Sequence, residues 1–80
     1  MIDKNKLVNI FSKALNIPGD RIKEDVNNEN LEEWDSLGHL AILTAIDNET
    51  EGKASKIETL SECTSFSNLF ETLKKNKLAK

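Results

Sequence analysis

The chain has a single cysteine, a single histidine and no tyrosine, and each scarcity excludes something. One thiol, Cys63, cannot build an internal disulfide framework, so a reducing, cytoplasmic setting is expected. One His39 beside that thiol leaves too few ligands for a metal cluster. Nor is there a triad-like set to activate a serine, so no catalysis is expected of the chain itself. Basic residues are outnumbered, with 11 Lys and Arg against 14 Asp and Glu and a formal charge of −3. The electropositive footprint of a nucleic-acid binder is therefore missing. No apolar run reaches the about 18 residues of a membrane span, and no secretory signal core is present. Strand signals are nearly absent as well.

What remains describes a small soluble helical protein. Eighty residues, 38% of them apolar and 31% charged, give room for one domain over residues 1–80 with one small core. A first helix is expected over about 3–16. Asp3 can cap it, Ile2 and Leu7 have the spacing of a hydrophobic staple, and Leu7, Val8, Phe11, Ala14 and Leu15 form an amphipathic stripe. Pro18-Gly19 is expected to end it. A long polar connection over 17–34 follows, with Ile17, Ile22, Val26, Leu31 and Trp34 spaced to pin it to the core. So long a connection is uncommon in a compact domain unless it is functional or pinned.

A second helix is expected over about 36–50, starting at Asp35-Ser36. Its middle, Leu40, Ala41, Ile42, Leu43, Ala45 and Ile46, is apolar nearly all the way round. That is more than one buried face requires, and the surplus must meet something outside this core. Gly52 is a plausible stop. Ser55-Lys56-Ile57-Glu58 has the form of a capping box opening a short third helix over about 56–61. Phe66, Leu69, Phe70 and Leu73 mark a last helix over about 65–76, with Lys74, Lys75 and Lys77 complementing its dipole. Leu78-Ala79-Lys80 is expected to fray. The expected fold is all-α, a small four-helix bundle of three main helices and one short one.

Ser36 is the residue that draws attention. A serine in the first turn of a helix stands among free backbone N–H groups at the positive end of the dipole, where a phosphate on its hydroxyl is favoured. The only histidine is three residues on and no triad-like set exists, so the serine reads as a target for another enzyme. The stretch Trp34-Asp35-Ser36-Leu37-Gly38-His39-Leu40, with one helix before it and two after, resembles an acyl carrier protein, and the resemblance runs over nearly the whole chain. It implies that Ser36 carries covalent 4′-phosphopantetheine derived from coenzyme A, with Asp35 and Leu37 read by a phosphopantetheinyl transferase. It also implies that Leu37, Leu40, Ala41 and Asp47 meet partner enzymes: a loading ligase or acyltransferase, then downstream enzymes of a fatty-acid-like or specialised biosynthetic pathway. The carrier is expected to be a monomer. An aminoacyl or peptidyl carrier of a nonribosomal pathway, and an unmodified adaptor that binds a partner through the second helix, are the alternatives.

Departures from the family pattern carry information too. Glu33-Trp34 precedes the Asp-Ser-Leu tripeptide where fatty-acid carriers have Gly-x, and Gly38, Ala41 and Asn48 stand at partner-side positions that are usually acidic. Docking is then expected to rest more on apolar contact than on electrostatic steering. Thr50 replaces a large apolar residue at the end of the second helix, and Ala54-Ser55 stands where a proline is common. Both predict a looser junction between the second and third helices. Among the remaining candidates, Trp34 reads as a core plug, His39 as a solvated helix residue and Cys63 as a small core residue. Ile42, Leu43 and Ile46 are expected to face inward.

Overall fold

Asp3 opens the first helix by accepting the Lys6 amide at 2.7 Å, an N-cap of the kind short carboxylates make. The computed structural model describes residues 1–80, and α1 runs Lys4–Leu15 with Leu7, Ile10, Phe11 and Leu15 buried. The helix stops earlier than Pro18-Gly19 would require. Asn16 turns left-handed (φ 57°, ψ 48°) and returns its N–H to the Ser12 carbonyl, so an αL asparagine ends the helix and Pro18 only keeps it from resuming.

The connection to the next helix carries one short 3₁₀ turn, Gly19–Arg21. Ile22, Val26, Leu31 and Trp34 are all buried, whereas Ile17 is only half-buried. Its asparagines are structural. Asn27 Oδ1 accepts the amides of Glu29 (2.7 Å) and Asn30 (3.0 Å), while Asn30 Oδ1 accepts that of Asn27 (2.8 Å). The turn so closed is tied to the far end of the chain: Asn28 N donates to the Thr64 carbonyl and Phe66 N to that of Val26.

Helix α2 spans Ser36–Glu49, capped by Asp35, whose Oδ1 accepts the Gly38 amide at 2.9 Å. Ile42 and Ile46 are fully buried, and Leu43 is half-buried at the edge of the core. Thr50 then makes the junction tight. Its hydroxyl donates to the Ile46 carbonyl at 2.9 Å and accepts the Ala54 amide at 3.0 Å, both out of solvent. The looser junction expected from losing an apolar residue is therefore corrected: a buried hydroxyl with two partners clasps the turn. Glu51 and Gly52 take positive φ (57° and 87°) to reverse the chain, and Gly52 is suited to this because a left-handed residue without Cβ costs little.

The expected short third helix is two 3₁₀ turns, Ala54–Lys56 and Glu58–Glu62. The capping box does not form. Ile57 between the turns is extended (φ −93°, ψ 101°) and there is no side-chain cap at that point. Ser55 instead donates its hydroxyl to the Gly52 carbonyl and its amide to Asp47 Oδ1. Helix α3 spans Phe66–Lys75, with Ser65 accepting the Asn68 amide as its cap. Lys74 and Lys75 lie in its last turn, and Lys77 falls beyond it with a positive φ of 61°.

The chain end does not fray. Ile2 N donates to the Leu78 carbonyl, Lys80 N to the Ile2 carbonyl, and Ala79 is buried. Two residues pairing across to the other terminus gain bonds and burial that a free tail lacks. Aromatic rings join the three main segments at the centre. Phe11 of α1 meets Trp34 edge-on (centroids 5.0 Å, 83°) and Phe66 of α3 at 5.2 Å and 61°, contacts worth about 0.5–1.5 kcal/mol each beyond their burial. The result is a small all-α bundle of three main helices with short 3₁₀ turns and no strand.

Candidate functional site

Burying Trp34 fixes where α2 begins. The ring is held in the core at 2% exposure, so the next two residues emerge at the surface, and Asp35 caps the helix there. Ser36 is exposed as the first residue of α2. Its hydroxyl has no partner in the chain, and neither do the amides of Ser36 and Leu37, since the first helical bond of this end runs from His39 N to the Asp35 carbonyl at 2.8 Å. Two unpaired N–H groups and the positive end of a 14-residue helix thus surround a free hydroxyl.

Gly38 explains how closely the helix start seats. A Cβ there would fall 2.3 Å from the Glu33 carbonyl oxygen and 2.8 Å from Leu15 Cδ2, distances no side chain tolerates. Gly38 therefore faces α1 and the preceding loop, which corrects its placement on the partner side: its lack of charge is a packing requirement. Glu33 itself is clamped by Arg21, whose guanidinium donates to both carboxylate oxygens at 2.7 and 2.9 Å. These bonds, followed by the Glu33 backbone N–H, hold the Glu33 carboxyl below the usual carboxylate range.

Leu37 and Leu40 stand out from the surface at 78% and 60% exposure. These two residues account for the surplus apolar character of α2. Ala41 is half-buried beside them. Asp47 lies some 11 residues beyond Ser36, about 16 Å along the helix, and one of its oxygens holds the Ser55 amide. Between α2 and the 3₁₀ turns opens a cleft of about 400 Å³ with Leu43, Ile57 and Leu60 as apolar walls and Thr44, Asp47 and Ser61 as polar ones. A shallower hollow on the α1 side of Ser36 runs along Ala14, Leu15, Leu37 and Ala41.

His39 is not a solvated helix residue. Its Nδ1 receives the Trp34 indole N–H at 3.0 Å, its Nε2 lies 2.7 Å from the Ser61 carbonyl, and the ring stacks on the indole at 6.2 Å and 20°. The sequence did hold a signal for this pair: a buried indole needs an acceptor, and the ring nitrogen five residues on was available. Nothing local foretold Ser61 as the third member. Cys63 is buried and free, with its thiol against Thr59, Asn68 and Thr72. No three His, Cys, Asp or Glu side chains converge on a metal position, and no helix is long and apolar enough to cross a membrane. No family model, curated protein or solved structure matches the chain.

Proposed function

We propose that the protein is a carrier of acyl groups, bound as thioesters to a 4′-phosphopantetheine arm on Ser36. The observation that carries this reading is the unpartnered Ser36 hydroxyl at the open start of α2, directly after the Asp35 cap. The residues present suit the group. Free amides at Ser36 and Leu37 and the helix dipole favour the phosphodiester charge, and the exposed position lets a foreign enzyme reach the hydroxyl. When attached, the arm supplies a thiol on which cargo is activated, so the chain need not catalyse anything. Asp35 and Leu37 flank the acceptor where a phosphopantetheinyl transferase reads it. The exposed Leu37–Leu40 pair offers partner enzymes, among them a loading ligase or acyltransferase, an apolar footing next to the arm.

Co-expression with a broad-specificity transferase tests the reading. The intact mass should rise by one phosphopantetheine, and Ser36→Ala should abolish the rise while leaving the helical spectrum unchanged. The same exposed leucines would serve an unmodified adaptor that binds a partner helix, and an unmodified chain under those conditions would favour that role. Aminoacyl or peptidyl cargo differs only in the loading enzyme, and assays with adenylating enzymes separate it from acyl cargo.

A further inference from the structure

Ser36 stands inside a clasp. Trp34, two residues before it, donates its indole N–H to His39, three residues after it, so one hydrogen bond bridges the loop end and the first turn of α2 across the acceptor serine. The chemistry of the two side chains fixes the proton. An indole N–H only donates, so His39 Nδ1 must present its lone pair; a backbone carbonyl only accepts, so Nε2 must carry the hydrogen toward Ser61. The ring is thereby held as a single neutral tautomer that joins three segments: the loop end, α2 and the Glu58–Glu62 turn.

We propose that this clasp is a proton-operated switch, closed across Ser36 while His39 is neutral and opened on the Trp34 side when the ring takes a second proton. Protonation places N–H against N–H at the indole and ends that bond. The bond to the Ser61 carbonyl becomes charge-assisted and persists. Acidification therefore transfers His39 from a three-way junction to a two-way one and removes the side-chain tie between the loop end and α2, while the Asp35 cap on Gly38 remains. The Nε2 side of the ring lies near the surface, where protons have access. The charged residues that the three joined segments carry nearest the clasp in sequence are the Asp35 cap of α2, Glu33 beside Trp34 in the loop, and Glu58 and Glu62 in the turn that holds Ser61. None of them pairs with the ring: Glu33 is taken by Arg21, and Asp35 caps Gly38. Cys63, which follows that turn, points its thiol at Thr59, Asn68 and Thr72.

The switch is a property of the unmodified chain and does not depend on the carrier reading. It is testable by NMR without ambiguity of assignment, because the chain has one histidine and one tryptophan. At neutral pH, long-range proton–nitrogen correlation should find the hydrogen on His39 Nε2. As the ring gains its proton, the Trp34 indole resonance should move with it, while the Ser61 carbonyl carbon keeps the shift of a hydrogen-bonded carbonyl. His39→Asn places an amide oxygen near the position of Nδ1 and takes up no proton. At the acidic end the wild-type indole proton should therefore exchange about tenfold faster than that of the variant, the scale set by one lost hydrogen bond. A ring hydrogen on Nδ1 at neutral pH, or an indole resonance indifferent to the ring's charge, would overturn the proposal. The tautomer measurement needs only the wild-type protein, so a poorly folded variant leaves the test intact.

Discussion

Single atoms decide much of the site. Gly38 is the sharpest case, because the space a methyl group would need is filled by the Glu33 carbonyl at 2.3 Å. Gly38→Ala should cost about 1–3 kcal/mol, the usual scale of an overpacked contact, read as a lower urea midpoint. An unchanged midpoint would mean that α2 does not seat against the loop as described. Asp35 acts through its cap on Gly38 N: Asp35→Ala should lose about 1 kcal/mol and Asp35→Asn little of it, since the amide oxygen can still accept. Glu33 gives a pH prediction. Its carboxyl is held below the ordinary range by Arg21, so the stabilisation from the pair is present above the unfolded-state carboxylate value and is lost as the pH falls through the lower, folded-state value. Arg21→Gln should return the Glu33 carboxyl titration toward its ordinary position, followed by carbon-detected NMR. Because both partners are open to solvent, the effect on overall stability should be small.

At the scale of elements, the junction after α2 depends on one hydroxyl. Thr50→Val keeps the shape but strands the Ala54 amide, and an unpaired buried donor costs about 1–3 kcal/mol. Exchange of the Ala54 amide should quicken, and an unaltered rate would show that water or another group replaces the threonine. This junction also marks the limit of what the sequence makes legible. Helices α1 and α3 are written in apolar periodicity, α2 in an apolar run, and all three in short polar caps (Asp3, Asp35 and Ser65) that act on residues three positions away. Local chemistry of that kind can be read directly. The Ser55–Glu58 capping box is equally local on paper, yet the Asp47 carboxylate, eight residues back, takes the Ser55 amide and Ile57 stays extended. Competition from a distant partner cannot be read from a four-residue pattern. The same holds at the site. Ser36, Asp35 and the exposed leucines follow from the helix start, whereas the His39–Ser61 bond joins residues 22 apart and Gly38 is closed in both by the Glu33 carbonyl and by Leu15 on another helix.

For the molecule as a whole, closure of the two ends matters because an 80-residue chain holds only a marginal reserve of stability. Ile2 and Ala79 are buried together and bonded through Leu78 and Lys80. Deleting residues 78–80 should lower stability by about 2 kcal/mol, the burial of one to two aliphatic side chains, seen as a reduced thermal midpoint. No change would restore the picture of a frayed tail. The bundle otherwise invests its apolar surface inward, around Phe11, Trp34 and Phe66; besides Met1 it leaves one apolar pair, Leu37 and Leu40, exposed beside one free serine hydroxyl. The direct test of that serine's role is to incubate the purified protein with a broad-specificity phosphopantetheinyl transferase, coenzyme A and Mg²⁺, then fragment the product to locate the added group. A single group, on Ser36 alone, is the expected result. No added group, or one on Ser12, Ser55, Ser61, Ser65 or Ser67, would contradict the assignment.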